Sequence, residues 1–470
     1  MRKVIILFLV IHSLCFPSSG QGNVRMTLNY SKIDSLANTW PAKTPGGVIA
    51  VVGKGEVLYH RAFGLANLPH KIQVSSKTLF NIGSAAKQFT GLAFAILADR
   101  NIISLDDDIR KFFPQLPKCF DQVTLRHLLG HTSGIWDAYN MLALAGKIPN
   151  KTLLYRNDVL AVLERQQKLE FVPGSEWRYN STAYVLLALA LEKITATPFP
   201  SWMQANIFEP LGMSNTIIES EAEEVIIGAA DSYNKKNGKY ITSFGNRAFY
   251  GAGDLYTTIS DMAKWGHLFA PENNMMKEPK KKISTTGTLS TGKATSYGLG
   301  LFIDNHRGLK RIHHGGSHAG YRASFIYYPE IDRGLISLSN CGNLDSYGIA
   351  DAVFEKYLGE QNIPAKPAEE ASNKDVPSFE APSHEDLSVY AGTYFSAEAN
   401  VEFSIFIDSN RVIVKDRFGS TFPLERSGKG IFGGRQPFTR LAIIKTGDSE
   451  ISGIRLDVNQ TKGIWFKKIK

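Results

Sequence analysis

The chain has 470 residues, of which 43% are hydrophobic and 21% are charged. This composition is that of an ordinary globular protein, so it excludes a disordered or fibrous chain and leaves material for more than one core. The formal net charge is +9, but no basic stripe is interleaved with aromatic residues, so we expect no nucleic-acid partner. The basic surface suits association with anionic cell-wall polymers, and plain solubility explains it equally well.

The first 20 residues have the layout of a secretory signal peptide. Arg2 and Lys3 precede an apolar run, and small residues follow at positions 18–20. The apolar run is too short to span a bilayer. We therefore expect residues 1–20 to be removed and the mature protein, with a net charge of +7, to be exported to the periplasm or secreted.

Cysteines and histidines give no sign of a bound metal. Only Cys119 and Cys341 remain after export, and an oxidising compartment would permit one bridge between them. His127 and His131 are four positions apart, like the histidines of a zinc protease helix, but no glutamate follows the first histidine. We expect no metal and no other cofactor.

Hydrophobic patterning predicts the secondary structure in chain order. Residues 45–64 predict two strands joined by a glycine turn near residues 53–55, and residues 84–99 predict a helix. The later predicted elements are helices at residues 157–169 and 181–194, strands within residues 311–340, and an amphipathic helix at residues 346–359.

A change of composition divides the chain into two domains. Residues 361–384 are rich in Pro, Ala and charge, which is typical of an extended linker. After the linker, VEFSIFID alternates apolar and polar residues, and short strand-like runs continue to the C-terminus. We therefore predict a main domain at residues 21–360 and a small antiparallel β domain, barrel or sandwich, at residues 385–470.

The stretch FNIGSAAKQFTG, residues 80–91, places Ser84 and Lys87 three positions apart at a strand-to-helix junction. Most Ser-x-x-Lys sequences are an N-cap serine followed by a solvated lysine. A serine hydroxyl becomes a nucleophile when a base takes its proton, and a lysine can do this if burial or positive potential keeps its amine neutral. Positions i and i+3 share a helix face. The two residues are therefore a candidate nucleophile and base.

Four later stretches support a functional interpretation of the Ser84 and Lys87 motif. They are LRHLLGHTSGI at residues 125–135, FVPGSEWRYNSTAYVLLALAL at 171–191, GAGDLYTTISDMAKW at 251–265 and IHHGGSHAGY at 312–321. In this order the motifs resemble the penicillin-recognising serine hydrolases of the class C β-lactamase type, a family that includes D-alanyl-D-alanine carboxypeptidases, D-amino-acid peptidases and esterases.

The resemblance covers roughly residues 29–359 and implies an α+β fold. The expected architecture is a β-lactamase/transpeptidase-like α/β/α sandwich around an antiparallel sheet, with a helical subdomain, and the C-terminal β domain is added to it. A small molecule or a peptide would be the substrate. The resemblance leaves the oligomeric state open.

The resemblance also implies roles for individual residues. Ser84 corresponds to the acylated nucleophile and Lys87 to its proton partner, while Tyr179 would carry protons to the leaving group and activate the deacylating water. The HGG sequence begins with His314, whose cationic or hydrogen-bonding side chain would face the substrate carboxylate. Its last glycine, Gly316, would let the backbones approach closely. The backbone N–H of the following residue, Ser317, would share the oxyanion hole with that of Ser84.

One position departs from the family pattern. The family has Tyr-x-Asn, whereas this chain reads Tyr179-Asn180-Ser181. A serine hydroxyl is shorter than an amide, so recognition of the substrate amide by Ser181 is in doubt while acylation is unaffected. The sequence thus predicts an exported serine hydrolase that cleaves a small amide or ester through an acyl-enzyme. The alternative is a sensor or binding module that keeps the penicillin-binding fold with slow or no turnover.

Overall fold

The computed structural model describes residues 30–147, 152–222, 224–360, 387–417, 419–434, 438–446, 450–459 and 461–470. The predicted signal peptide and the predicted linker lie outside these residues. Within the described part of the chain, no helix combines the length and the apolar character that crossing a bilayer requires.

Helices occupy mainly the first three quarters of the chain. They are α1 (Ser31–Thr39), α2 (Lys87–Asp99), α3 (Leu125–Leu129), α4 (Ala138–Leu144), α5 (Arg156–Leu163), α6 (Ser181–Thr195), α7 (Phe199–Met203), α8 (Ile259–His267), α9 (Lys277–Ile283) and α10 (Ser346–Glu360).

Strands before α10 form the main sheet and several short ladders. They are β1 (Gly47–Gly53), β2 (Glu56–Phe63), β3 (Leu65–Asn67), β4 (Ile72–Gln73), β5 (Phe80–Asn81), β6 (Leu154–Tyr155), β7 (Ile217–Ile218), β8 (Tyr233–Lys236), β9 (Lys239–Thr242), β10 (Arg247–Ala248), β11 (Leu255–Thr257), β12 (Phe302–His306), β13 (Leu309–His318), β14 (Tyr321–Tyr328) and β15 (Arg333–Ser339).

Strands after α10 build the C-terminal domain. They are β16 (Gly392–Ser396), β17 (Val401–Asp408), β18 (Arg411–Lys415), β19 (Thr421–Gly428), β20 (Ile431–Gly433), β21 (Phe438–Thr446), β22 (Glu450–Val458) and β23 (Thr461–Lys468).

The central sheet is antiparallel and has the strand order β12-β13-β14-β15-β1-β2. The predicted pair of strands near the N-terminus is confirmed as β1 and β2, and their turn uses Lys54 and Gly55 at positive φ. β12 pairs with residues 309–313 of β13, so the rest of β13 extends beyond β12 while still pairing with β14. This extension carries the predicted HGG sequence.

Helices cover both faces of the sheet. Because successive strand residues point to opposite faces, Val48 and Ile49 of β1 belong to different cores. Ile49 packs in one core with Phe354 of α10. Val48 belongs to the larger core, where the rings of Phe89 in α2 and Trp265 in α8 lie 4.2 Å apart. The predicted α/β/α sandwich with a helical subdomain is confirmed.

Two predicted helices differ from the structure in extent. The helix expected at residues 84–99 begins as a 3₁₀ turn, Gly83–Ala86, and becomes α-helical only at Lys87. The helix expected at residues 157–169 ends at Leu163. After this helix, the buried Gln166 side chain accepts a hydrogen bond of 3.1 Å from the backbone N–H of Trp136 and donates one of 2.8 Å to the carbonyl of Lys168. These two bonds hold residues 166–168 in a loop, so the helix does not continue to residue 169. Helices α6 and α10 confirm the remaining two.

The C-terminal strands β16 to β23 form a closed antiparallel barrel. Closure removes the free strand edges that a small sandwich would expose. Val401, Phe403 and Ile405 of β17 are buried, as their alternation predicts, whereas Ile407 is only partly buried. Elsewhere in the chain, Cys119 and Cys341 are free thiols.

Candidate active site

Ser84 lies in the 3₁₀ turn between β5 and α2. The turn begins with Gly83 at a φ of +52°, which a side chain would strain. A Cβ on Gly83 would also lie 2.8 Å from the backbone nitrogen of Ser317, so the nucleophile turn and the end of β13 are in direct contact. The backbone N–H groups of Ser84 and Ser317 therefore belong to two segments that are in direct contact. The tight i to i+3 spacing of a 3₁₀ turn brings the Lys87 side chain beside Ser84.

Lys87 is fully buried, and its ammonium group has two oxygen partners. Its Nζ lies 3.0 Å from Ser84 Oγ and 2.8 Å from the carbonyl oxygen of Ala252. Burial, together with the positive charge of Arg247, lowers the pKa of Lys87 to about 7. The carboxylates of Asp137 and Asp254 act in the opposite direction. A substantial fraction of Lys87 is therefore neutral near pH 7 and can accept a proton from Ser84.

Tyr179 completes the group around Ser84. The Lys87 Nζ lies 5.1 Å from the centre of the Tyr179 ring. Burial raises the pKa of the Tyr179 phenol well above its usual value, and the hydroxyls of Ser84 and Ser181 offset part of the rise. The phenol therefore keeps its proton at neutral pH. The ring of buried His131 packs against Tyr179 at a centroid distance of 4.3 Å.

Asn180 and Ser181 have separate tasks at the start of α6. Asn180 is the N-cap residue, and its Oδ1 accepts a hydrogen bond of 3.0 Å from the backbone N–H of Ala183. Its Nδ2 donates to the carbonyl of Ile135 at 2.7 Å, so both ends of this amide are used within the protein. Asn180 consequently does not stand in for the family asparagine. Ser181 keeps that position.

β13 supplies the opposite wall of the site. A Cβ on Gly316 would lie 1.7 Å from the carbonyl oxygen of Ile82, so only glycine permits this approach. His314 is buried. Its Nδ1 donates to the carbonyl of Gly315 at 2.6 Å, so its Nε2 accepts the hydrogen bond of 3.1 Å from the Tyr297 hydroxyl. Burial and the charge of Lys87 lower the pKa of His314 to about 3, so the ring is neutral.

An open cavity of about 770 Å³ lies over these residues. The structure brings six of the seven predicted site residues together here: Ser84 and Tyr179 line the cavity with His314, Gly316 and Ser317, and Lys87 lies beneath Ser84. Ser181 is not a lining residue, although its hydroxyl lies near the Tyr179 phenol.

The sequence did not indicate that the charged residues Asp137, Arg247 and Asp254 lie near Lys87. Asp137 precedes α4, where its carboxylate accepts a hydrogen bond of 2.9 Å from the backbone N–H of Tyr139. Arg247 in β10 contacts Nδ1 of His318 at 2.6 Å. An aspartate directly before a helix is a common N-cap, so the sequence could have predicted that role for Asp137. No local pattern indicated that these charged residues would lie near Lys87.

Comparison with known families agrees with this geometry. A family model described as Beta-lactamase matches residues 33–359. The chain belongs to the beta-lactamase family. It is a β-lactamase-related serine hydrolase.

Several curated proteins are similar to this chain in sequence. A penicillin-binding protein of Bacillus subtilis (strain 168) is 28% identical over 341 residues, which are 69% of this chain and 75% of that protein. A D-aminopeptidase of Gluconobacter oxydans is 26% identical over 63% of this chain and 56% of its own length. A D-aminopeptidase of Cereibacter sphaeroides is 28% identical over 72% of this chain and 64% of its own length. The chain thus spans less than two thirds of these two D-aminopeptidases.

Solved beta-lactamase-like structures share the fold. The octameric penicillin-binding protein homologue from Pyrococcus abyssi superposes with a TM-score of 0.61 at 24% identity, over 93% of this chain and 99% of that one. A penicillin-binding protein from Bacillus halodurans superposes with a TM-score of 0.59 at 22% identity, over 70% of this chain and 98% of that one. The first alignment covers the C-terminal part of the chain as well, because it includes nearly all of both proteins.

Proposed function

We propose that this serine hydrolase forms an acyl-enzyme on Ser84 and cleaves a small amide or ester. The observation that carries the proposal is the 3.0 Å contact between Ser84 Oγ and the buried amine of Lys87. A neutral lysine at this distance is a general base for the serine hydroxyl. In a Ser-x-x-Lys sequence that arises by chance, the lysine is usually exposed to solvent, whereas Lys87 is fully buried.

Acylation follows from the arrangement of protons. Lys87 takes the proton of Ser84 as Oγ attacks the substrate carbonyl carbon, and the backbone N–H groups of Ser84 and Ser317 hold the oxyanion. Each such donor contributes about 10²–10³ in rate. The protonated phenol of Tyr179 then gives its proton to the leaving group, and the proton held by Lys87 restores the phenol. In deacylation a water attacks the carbonyl carbon of the acyl-enzyme, the bond between that carbon and Ser84 Oγ breaks, and the proton of the water passes through Tyr179 and Lys87 to Ser84 Oγ.

The substrate is a D-alanyl peptide, a β-lactam-like amide or a small ester. The two relatives named D-aminopeptidase support a peptide with a D-residue. The short Ser181 side chain favours an ester, because it offers less to a substrate amide than an asparagine would. Parallel assays on D-alanyl peptides and p-nitrophenyl esters distinguish these substrates. We further propose that the protein works outside the cytoplasm, on the evidence of its N-terminal sequence.

The test of the proposed nucleophile is covalent labelling. Ser84→Ala is expected to abolish labelling by a fluorophosphonate or penicillin probe, with the labelled peptide of the parent protein located by mass spectrometry. Ser317→Ala is the matched control, because Ser317 acts through its backbone and should remain labelled at Ser84. Undiminished labelling of Ser84→Ala would place the nucleophile elsewhere. A stable acyl adduct on Ser84, visible by intact mass long after a pulse of substrate, would favour the sensor over the hydrolase.

A further inference from the structure

The C-terminal barrel contacts the hydrolase domain at α4, the helix that begins directly after Asp137. At the β22–β23 turn, the Asn459 Nδ2 donates to Asn140 Oδ1 at 2.9 Å, and the Asn140 Nδ2 donates to Thr461 Oγ1 at 3.0 Å. Both ends of the Asn140 amide are thus held by the barrel. Thr461 is 1% exposed and both hydrogen bonds are partly buried, so this contact is partly shielded from water. The Arg417 guanidinium also donates to the carbonyl of Ala145, just past the end of α4.

Asn140 lies in the first turn of α4, and Asp137 is the N-cap residue of the same helix. The backbone N–H of Asn140 donates to the Asp137 carbonyl at 3.1 Å. The Asp137 carboxylate accepts a hydrogen bond of 2.9 Å from the backbone N–H of Tyr139, and the backbone N–H groups of Asn140 and Ser181 also favour its charged form and lower its pKa. Its negative charge acts on Lys87, where it raises the pKa of the amine. The position of α4 therefore sets the distance between a carboxylate and the proposed base.

A second path runs through a buried carboxylate. The backbone N–H of Lys462 donates to Glu170 Oε1 at 3.1 Å, and the other oxygen of Glu170 pairs with the Arg178 guanidinium. The Glu170 side chain is only 3% exposed. The backbone N–H of Arg178 donates to the His131 carbonyl at 2.8 Å, and Tyr179 is the next residue. The same barrel turn therefore also supports the segment that carries the phenol.

We propose that the β22–β23 turn of the barrel is a positioning element of the catalytic centre, with Thr461 and Asn459 fixing Asp137 through Asn140. In this proposal the barrel contributes to turnover by positioning a residue near the proposed base. The described residues of the barrel do not line the active-site cavity, so they act through α4 rather than on the substrate. The proposal rests on acylation at Ser84 and assigns a positioning element to that reaction.

A positioning role predicts a shift in the pH dependence. Loosening α4 lets Asp137 withdraw, which removes a negative charge near Lys87 and lowers its pKa, so the acid limb of kcat/KM moves to lower pH. The other groups that face Lys87 come from several elements and are unchanged in the test: Tyr179, Tyr184, His131, Arg247, Asp254 and His314.

The experiment compares two threonines of the full chain. Thr461→Val removes the hydroxyl that binds Asn140 and keeps the shape of the side chain. Thr439→Val is the control, because its hydroxyl donates to the carbonyl of Asp457 in the neighbouring strand of the barrel and contacts no residue of the hydrolase domain in the hydrogen bonds observed. Asn459→Gly is the second variant, since glycine accepts the positive φ of 52° at this position. Hydrolysis of a p-nitrophenyl ester is measured from pH 5 to 9.

Thr461→Val and Asn459→Gly are each expected to lower kcat about three- to tenfold, the usual effect of one lost hydrogen bond. KM should stay within about twofold of the parent value, and the acid limb should move to lower pH. Thr439→Val should match the parent. Asn140→Ala should have the same effect, and adding Thr461→Val to it should change little more, because both changes break one contact.

Parent-like kcat and pH profiles in Thr461→Val and Asn459→Gly would overturn the proposal. So would a lower kcat with the acid limb in place, because that pattern indicates a purely structural role. Ser84 labelling of the parent protein separates this failure from a failure of the proposed function. If the parent is not labelled, the catalytic assignment is wrong. If the parent is labelled and the variants behave like Thr439→Val, only the role of the barrel is wrong.

Discussion

Gly316 lies so close to Ile82 that a β-carbon on the glycine would be 1.7 Å from the Ile82 carbonyl oxygen. Ile82 immediately precedes the 3₁₀ turn that carries Ser84. The glycine therefore sets how closely the nucleophile turn approaches β13, and with it the distance between the two N–H groups of the proposed oxyanion hole.

The first prediction follows from this contact. Gly316→Ala must push the nucleophile turn away from β13, so we expect Ser84 labelling to slow at least about 10²-fold, the effect of losing one oxyanion donor. Gly315→Ala is the matched control, because its β-carbon would meet the Tyr347 ring, a side chain that can move, at 3.3 Å and the Ala323 carbonyl oxygen at 3.8 Å, which is an ordinary van der Waals contact. Second-order labelling rates are the measurement. Equal rates in the two variants would contradict this account.

The second prediction concerns pH. Since Lys87 must be neutral to accept the Ser84 proton and its pKa is about 7, kcat/KM should fall about tenfold per pH unit below that value. Arg247→Gln removes a positive charge that disfavours the charged amine, so the pKa of Lys87 rises and the acid limb moves to higher pH. Arg126→Gln, which removes an exposed partner of Asp106, should leave the profile in place. An unmoved limb in Arg247→Gln would refute the electrostatic assignment.

The third prediction concerns stability. In the unfolded chain Lys87 titrates near 10.5 and in the folded protein near 7, so between these values the unfolded state binds more protons and the parent gains stability as pH rises. Lys87→Met lacks this titration. The stability of the parent relative to Lys87→Met should therefore increase by about 1.4 kcal/mol per pH unit between pH 7 and 10. Urea unfolding at pH 7 and pH 9.5 measures it, and a constant difference would show that the pKa of Lys87 is not depressed.

The fourth prediction concerns the departure at Ser181. Ser181→Asn restores an amide donor and acceptor, so we expect activity on D-alanyl peptides or β-lactams to rise about tenfold or more relative to esters. Asn180→Ala, the neighbouring variant, should instead lower stability by about 1 kcal/mol through loss of the N-cap, with the same preference among substrates. Ratios of kcat/KM for an ester and a D-alanyl peptide test both. An unchanged ratio in Ser181→Asn would show that the missing amide does not matter.

Much of the fold could be read from local patterns. The pair β1 and β2 was predicted because β-branched residues stop and resume around a glycine turn, and the closing helix α10 because its apolar period is helical. The Ser84 and Lys87 motif was also visible in the sequence, because two residues three positions apart share one face of a helical turn. The early end of α5 was not predictable, because it depends on a buried glutamine that bonds to a distant loop.

The sequence by itself indicated the first strand pair, several helices, a C-terminal β domain and the candidate group of Ser84, Lys87 and Tyr179. Only the tertiary structure decided that Lys87 is buried against the Ala252 carbonyl, with Arg247 and Asp137 beside it, and that the barrel reaches Asn140. The physical reason is range. Periodicity is set by neighbours along the chain, whereas desolvation and charge act on a group through residues that folding brings together from far apart in the sequence.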